Sequence, residues 1–214
     1  MSRAVIFANG SLPDPDKARD LLLPDDLILC ADGGLLHARA LGVRPHAVIG
    51  DMDSLSREIL NELTQSEVQI VLHPADKDKT DLELALDHAF ELGVKEILIV
   101  AGLGKRLDQT LSNIGLMMGD GPSTLKVRID DGIEEVFFCK DQAEIHGRKG
   151  DVVSLIPWNG VVGGVRTEGL RWPLVDESLY SETSRGISNV MQADVAQVSI
   201  TFGLLLILHR RETN

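Results

Sequence analysis

The stretch Thr80–Gly93, T-D-L-E-L-A-L-D-H-A-F-E-L-G, followed at once by Glu96–Ala101, E-I-L-I-V-A, decides the fold class. Leu82, Ala85, Leu86, Ala89 and Phe90 recur at the three-and-four spacing of one helical face. Thr80 and Glu83 make a capping-box pair at its start, and Gly93 stands where such a helix stops. The run that follows is apolar after its first residue, the pattern of a strand covered on both faces. A helix that feeds straight into such a strand is half of a parallel β-α-β unit.

Outward from there the same alternation reaches the N-terminus. Arg3–Ala8, Leu27–Ala31, Ala47–Gly50 and Val68–Leu72 read as further strands. Pro15–Leu23, Leu35–Leu41, Ser54–Thr64 and Gln109–Met118 read as further helices. From Leu125 the character changes to short β-like runs: LKVRI, EEVFFC, DVVSLIP, VVGGVRTEG, QVSITF and LLLILH. Asp131-Gly132, Asn159-Gly160 and Gly163-Gly164 punctuate them as turns, the last pair as a hairpin. The fold class expected is α/β, with an N-terminal three-layer domain built on a mainly parallel sheet and a small C-terminal antiparallel sandwich or barrel. The boundary falls between Gly121 and Lys140, which divides the chain into 1–139 and 140–214.

The composition excludes several partners. Lys plus Arg number 21 and Asp plus Glu 33, so the net charge is −12 and nucleic acid and anionic membranes are poor partners. Most of that imbalance lies early: residues 1–120 carry 20 acids against 11 bases, and 14 of those acids are Asp, a residue of turns and caps. Leu204–Leu208, a long apolar run, is far too short to span a bilayer, and MSRAVIFANGS has no signal-peptide stretch. Cys30 and Cys139 stand far apart without metal-ligand spacing, which suits buried thiols in a cytoplasm.

Ligands of open α/β sheets bind beyond the carboxyl ends of the strands. The residues there are Asn9-Gly10-Ser11, Asp32-Gly33-Gly34, Gly50-Asp51-Met52-Asp53-Ser54, His73–Asp81 (HPADKDKTD) and Gly102–Asp108 (GLGKRLD). Asp51 and Asp53 can reach one side of a tight turn and share a hard cation, Mg²⁺, with Met52 pointing away. The bland alternative is that Asp53 or Ser54 caps the following helix. Asp78 and Asp81 flank a helix start, where Asp81 also suits the helix dipole alone. Lys77 and Lys79 can meet phosphate or stay solvated. Asp32-Gly33-Gly34 lets backbone N–H groups approach a phosphate, and Gly102–Asp108 adds a glycine loop with two cations, Lys105 and Arg106. Neither a G-x-G-x-x-G nor a P-loop is present. Trp172 is either a core residue or a platform for a flat ring. The combination points to transfer of a phosphoryl-type group from a nucleotide.

The ordered set A-D-G-G (Ala31–Gly34), G-D-M-D-S (Gly50–Ser54), K-D-K-T-D-L-E-L-A-L (Lys77–Leu86) and G-x-G-x-R-x-D (Gly102–Asp108) with Asn113 resembles the thiamine pyrophosphokinase family. S-L-I-P (Ser154–Pro157), T-E-G-L-R-W-P-L (Thr167–Leu174) and G-I-S-N (Gly186–Asn189) extend the resemblance over nearly the whole chain. It implies an α/β N-terminal domain with a C-terminal antiparallel β-sandwich, and transfer of the β,γ-diphosphate of ATP to the hydroxyl of thiamine, releasing AMP, in a homodimer that binds thiamine at the subunit interface. By that resemblance Asp51, Asp53 and Asp81 would hold Mg²⁺. Asn9, Asp32, Gly33, Gly34, Lys77, Asp78, Thr80, Gly102, Gly104 and Lys105 would lie on the ATP side, and Arg106 and Asp108 at the reaction centre. Trp172 would stack on the pyrimidine, with Ser188 and Asn189 beside it. Asp51, Asp81 and Asp108 all stand as acceptors for the hydroxyl proton. Gln109 stands where His follows the Asp in many bacterial members. A D-x-D nucleotide-sugar transferase would use Asp51 and Asp53 without requiring Trp172. A non-catalytic thiamine- or nucleotide-binding module would bind without releasing AMP.

Overall fold

The computed structural model describes residues 3–119 and 125–212. The chain divides into two compact units, Met1–Gly132 and Ile133–Asn214.

The first unit alternates throughout: β1 (Arg3–Phe7), α1 (Pro15–Arg19), β2 (Leu27–Ala31), α2 (Gly34–Ala40), β3 (Ala47–Gly50), α3 (Arg57–Thr64), β4 (Gln69–Leu72), α4 (Asp81–Glu91), β5 (Glu96–Val100), α5 (Leu107–Leu116) and β6 (Lys126–Asp130). The strands pair in the order β4-β3-β2-β1-β5-β6, all parallel. All carboxyl ends therefore share one edge. Val5, Phe7, Ile28, Cys30, Val48, Leu98 and Val100 face one side, where Ala18, Leu35, Ala38 and Leu63 of the helices cover them. On α4, Leu82, Ala85, Leu86 and Ala89 are buried, and this helix packs against β1, β2 and β3. Its Thr80 hydroxyl accepts the N–H of Glu83 at 3.2 Å, and Gly93 follows the C-cap with φ +71°. The alternation expected from the sequence is what the backbone forms.

Two readings need correction. LKVRI belongs with the parallel sheet, because β6 pairs with β5 in parallel register, Glu96 opposite Lys126. It keeps Lys126 exposed and ion-pairs Arg128 with Glu96 at 3.2 Å, and these charges at alternate positions gave it the look of a half-solvated antiparallel strand. In the second unit, Asn159-Gly160 and Gly163-Gly164 do not end strands. Both lie inside one 17-residue strand, as bends.

That second unit holds β7 (Glu134–Cys139), β8 (Gln142–His146), β9 (Val152–Glu168), β10 (Val175–Leu179), β11 (Asn189–Val190), β12 (Val195–Ser199) and β13 (Phe202–Arg210). It carries no helix among the described residues. β9 serves two sheets: Val152–Trp158 pairs with β13, which also pairs with β7, and Arg166–Glu168 pairs with β12, which also pairs with β8. Pairing with β13 reaches Gly163, and Gly164 (φ +66°) lies between it and the residues that pair with β12. Cys139, Ile145, Val153, Leu155, Val165, Val198, Leu205 and Ile207 fill the space between as one apolar core. The division at 132/133 differs from the expected 139/140 because β7 pairs with β13 and so belongs to the sandwich. Part of the expected boundary interval, 121–124, lies outside the described residues.

One buried network ties the sandwich together. His209 is fully buried, with Nε2 3.0 Å from Asp151 Oδ2 and Nδ1 3.5 Å from Glu135 Oε2. Asp151 also accepts the backbone N–H groups of Arg148 (2.8 Å) and Glu212 (3.0 Å). Burial alone would raise the Asp151 carboxyl, but these donors and His209 outweigh it and hold it below the ordinary carboxylate range. Its backbone carbonyl accepts the N–H of Met191 at 2.9 Å, beside β11.

Two predictions follow from this architecture. At Gly34, the second glycine after β2, a Cβ would overlap the backbone carbonyl of Phe7 in the neighbouring strand end. Gly34→Ala is expected to cost about 3 kcal/mol, the upper part of the overpacking range. Urea denaturation reads this as a lower midpoint with an unchanged slope, and an unchanged midpoint contradicts it. For Asp151, a depressed folded pKa means its ionisation stabilises the fold above the ordinary carboxylate range and the contribution disappears as pH falls through it. Asp151→Asn should lose less stability than the parent as the pH falls below about 5 in thermal melts. Equal losses in both proteins contradict that.

Candidate functional site

The site begins with strand register. β2 and β3 run side by side with Ala31 opposite Ile49, so the residues after them emerge together. Asp32 leaves β2 in the left-handed region (φ +41°), and Met52 does the same after β3 (φ +65°). Met52 is buried among the apolar residues under the sheet, so the turn presents Asp51 and Asp53 on its other side. Gly50, immediately before Asp51, has φ +146°. A Cβ there would stand 2.8 Å from Asp81 Oδ1 and 3.1 Å from Asp32 Cβ, so the carboxylates use the space a side chain would fill.

One oxygen each from Asp32, Asp51 and Asp53 lies within 4.8 Å of the others, a set able to hold a metal ion. Asp32 is only 5% exposed, and its Oδ1 has no hydrogen-bond partner among the described residues. Burial pushes its carboxyl up, against hydrogen bonds from Ser54 and the Gly33 N–H, and the Asp81 and Asp53 charges push it further. Such an oxygen is poised for a cation. Asp51 lies below its ordinary value because it accepts the N–H of Asp53 at 3.2 Å and faces Lys77. The capping alternative for Asp53 and Ser54 fails here, since α3 is capped by Ser56, whose hydroxyl accepts the N–H of Ile59. Those hard oxygen ligands on the carboxyl edge suit Mg²⁺ by their chemistry.

The structure brings together Asp32, Asp51, Asp53, Lys77 and Asp81. Asp81, expected among the metal ligands, is ion-paired with Lys77 at 2.6 Å, and the three carboxylates whose oxygens converge are those of Asp32, Asp51 and Asp53. The signal for Asp32 was its position, directly after a strand adjacent to that of Asp51. Thr80 is engaged in the cap of α4, and Asp78 is exposed in the loop before it. Lys105, also left-handed (φ +58°), reaches the Asn9 carbonyl at 3.0 Å and its Oδ1 at 3.3 Å. Gly33 packs against the Asn9 amide, so Asn9, Gly33 and Lys105 form a second group. His37 of α2, unremarked in the sequence, lies 3.0 Å from the Gly10 carbonyl and steadies that loop. Gly102 accepts the buried Asn113 amide at 2.8 Å, and the N–H of Gly104 donates to Thr110 at 3.1 Å. Arg106 and Asp108 pair with each other at the exposed start of α5.

The second unit carries its own concavity, about 490 Å³, lined by Trp172, Leu174, Thr183, Arg185, Ile187 and Asn189. Trp172 is half exposed. Asn189 is buried and clamps the Trp172 backbone: its amide nitrogen donates to the Trp172 carbonyl at 2.7 Å, and its amide oxygen accepts the Trp172 N–H at 3.1 Å. Ser188 is left-handed (φ +58°), and its N–H donates to the Ser154 hydroxyl at 3.0 Å. Thr183, Ser184 and Arg185 were missed in the sequence. They lie in a connection with no regular spacing to mark it, and Arg185 is held there by Glu177 at 2.9 Å.

Comparison with known proteins places both units. The family model "Thiamin pyrophosphokinase, catalytic domain" matches residues 18–129, and "Thiamin pyrophosphokinase, vitamin B1 binding domain" matches residues 140–205. The thiamine pyrophosphokinase of Bacillus subtilis (strain 168) is 26% identical over 179 residues, covering 83% of this chain and 84% of its own. A thiamin pyrophosphokinase structure from Geobacillus thermodenitrificans superposes with a TM-score of 0.80 at 26% identity, over 100% of this chain and 99% of that one. A Bacillus subtilis structure reaches a TM-score of 0.87 over the whole of both chains at 22% identity, which speaks for the fold. One family thus accounts for the acidic edge of the first unit and the Trp172 concavity of the second, and the chain belongs to the thiamin pyrophosphokinase family.

Proposed function

We propose that the protein is a thiamine diphosphokinase that transfers the β,γ-diphosphate of ATP to the hydroxyl of thiamine, giving thiamine diphosphate and AMP. The observation that carries the site assignment is the convergence of Asp32, Asp51 and Asp53 around a buried, unpartnered Asp32 oxygen. These three would hold Mg²⁺, with Asp81 joining them when it leaves Lys77. Bound there, Mg²⁺ supplies charge neutralisation for the triphosphate. Lys105 and Asn9, with Gly33, Gly34, Gly102 and Gly104, line the ATP side, while Lys77 and Asp78 stand in the loop before α4. Arg106 and Asp108 serve the reaction centre, Arg106 by stabilising charge that develops on the transferred group. The hydroxyl oxygen of thiamine bonds to the β-phosphorus in line as the bond from the β-phosphorus to the α,β-bridging oxygen breaks. The bridging oxygen leaves with AMP, and the hydroxyl proton passes to a carboxylate among Asp51, Asp81 and Asp108.

Thiamine binds in the second unit, with its pyrimidine on the Trp172 indole. The Asn189 clamp holds that indole's backbone, and Ser188 lies beside it. The acidic net charge favours capture of a cationic substrate. The working form is a homodimer in the cytoplasm. Support for a second copy comes from Phe138, Ile156, Trp158 and Leu204. They alternate with the core residues of β7, β9 and β13 and remain partly exposed. Support for the compartment comes from the two buried free thiols, Cys30 and Cys139. No helix among the described residues is long and apolar enough to cross a membrane.

Chromatography of ATP, Mg²⁺ and thiamine incubated with the protein should show AMP and thiamine diphosphate in equal amounts. ADP with thiamine monophosphate would move the attack to the γ-phosphorus, and thiamine binding without turnover would leave a binding module. Asp53→Asn should lower kcat/KM by about 100-fold or more, about 2.7 kcal/mol of transition-state stabilisation. Its melting temperature should be retained, and substantial activity would sink the metal assignment. Trp172→Ala should raise the KM for thiamine about tenfold while that for ATP holds, the loss of one stacked ring. A rise in both would place Trp172 outside the thiamine site.

A further inference from the structure

The acidic cluster contains a cation of its own. Lys77 Nζ lies 2.6 Å from Asp81 Oδ1 and 3.5 Å from Asp51 Oδ2, and the Lys77, Asp81 and Asp51 side chains are only 15%, 27% and 15% exposed. Its neighbour Lys79 turns elsewhere, to Asp87 at 2.6 Å and Glu83 at 3.5 Å. Lys105 is engaged by Asn9. Lys77 is therefore the ammonium that offsets the repulsion among the carboxylates gathered at Gly50.

We propose that Lys77 is an internal counter-ion that occupies Asp51 and Asp81 until the site is loaded, and that its release couples binding of the divalent cation to binding of the nucleotide. This rests on the reading of Asp32, Asp51 and Asp53 as the metal site. A dication approaching Asp51 competes with the ammonium for the same oxygen and is repelled by it. Metal alone must displace Lys77 with nothing to receive it. A triphosphate provides that receiver, because a lysine is a compact charge on a flexible stem and can exchange carboxylate for phosphate oxygens. Each ligand lowers the cost of binding the other, and the coupling is reciprocal. Asp81, freed from Lys77, then becomes available to the metal. The observed triad and the one implied by family resemblance are in this view two stages of one exchange.

A lysine that merely stabilised the loop would affect folding and leave metal affinity unchanged or weaker when removed. The opposite sign is the signature of a counter-ion. The test is Mn²⁺ binding followed by electron paramagnetic resonance on the full-length protein without thiamine, with and without a non-hydrolysable ATP analogue. Without nucleotide, Lys77→Gln should bind Mn²⁺ about fivefold tighter than the parent, the equivalent of about 1 kcal/mol for a partly exposed ion pair. The factor by which the analogue strengthens Mn²⁺ binding should shrink correspondingly. Lys77→Arg should keep the parent's weak binding. Lys77→Met repeats the measurement should the Gln variant fail to fold by circular dichroism. Mn²⁺ affinity in the folded Gln or Met variant equal to or weaker than the parent's overturns the proposal. A parent that binds no Mn²⁺ even with the analogue overturns the metal assignment itself, and the proposal with it.

Discussion

Carboxylates that repel one another are forced together at the ends of two adjacent parallel strands, and the architecture of the first unit is what holds them there. In-register pairing of β2 with β3 brings Asp32 beside Asp51 and Asp53, and the helix that follows β4 delivers Asp81 to the same glycine. The left-handed backbones of Asp32 and Met52 add strain of the kind that persists only where the surroundings over-determine it. Here the surroundings are a fully buried strand pair and the Met52 side chain anchored among apolar residues beneath. A conformation unfavourable on electrostatic and torsional grounds is thus sustained by burial elsewhere, and the stored repulsion becomes affinity for a cation.

The second unit applies the same logic with different materials. Trp172 offers an exposed aromatic face, yet its backbone is clamped by a buried asparagine, and that asparagine belongs to a strand pair next to the Asp151–His209 network. A platform fixed in this way can stack on a flat ring without first losing conformational freedom. In both units the candidate residues are held in place by buried neighbours, Met52 beneath the acidic turn and Asn189 behind Trp172.

Much of this was legible in the residues. Period and capping on Thr80–Gly93 located α4, and continuous apolar runs located the parallel strands, because burial on both faces leaves no other pattern. The D-x-D pair stood out in the sequence beside its alternative as a helix cap, which only the Ser56 cap of α3 removes. What was not legible depended on long-range pairing. Whether Asp32 or Asp81 completes the triad turns on the Lys77 contact, which no local pattern encodes. The cap of α3 lies at Ser56, beyond the expected Asp53 or Ser54, since serine and aspartate cap equally well. Gly163-Gly164 looks like a hairpin, but a strand that passes from one partner sheet to another needs the same left-handed bend. β6 misled because Lys126 and Arg128 give it the charged alternation of a solvated strand whichever direction its partner runs.

The central claim is that Asp32, Asp51 and Asp53 hold the divalent cation that carries the nucleotide. Crystals grown with Mn²⁺ and a non-hydrolysable ATP analogue test it most directly through the anomalous signal of the metal. The account predicts a peak within bonding distance of carboxylate oxygens from those three residues and of phosphate oxygens of the analogue. A metal bound elsewhere on the chain, or a nucleotide bound without contact to this edge of the sheet, would contradict it.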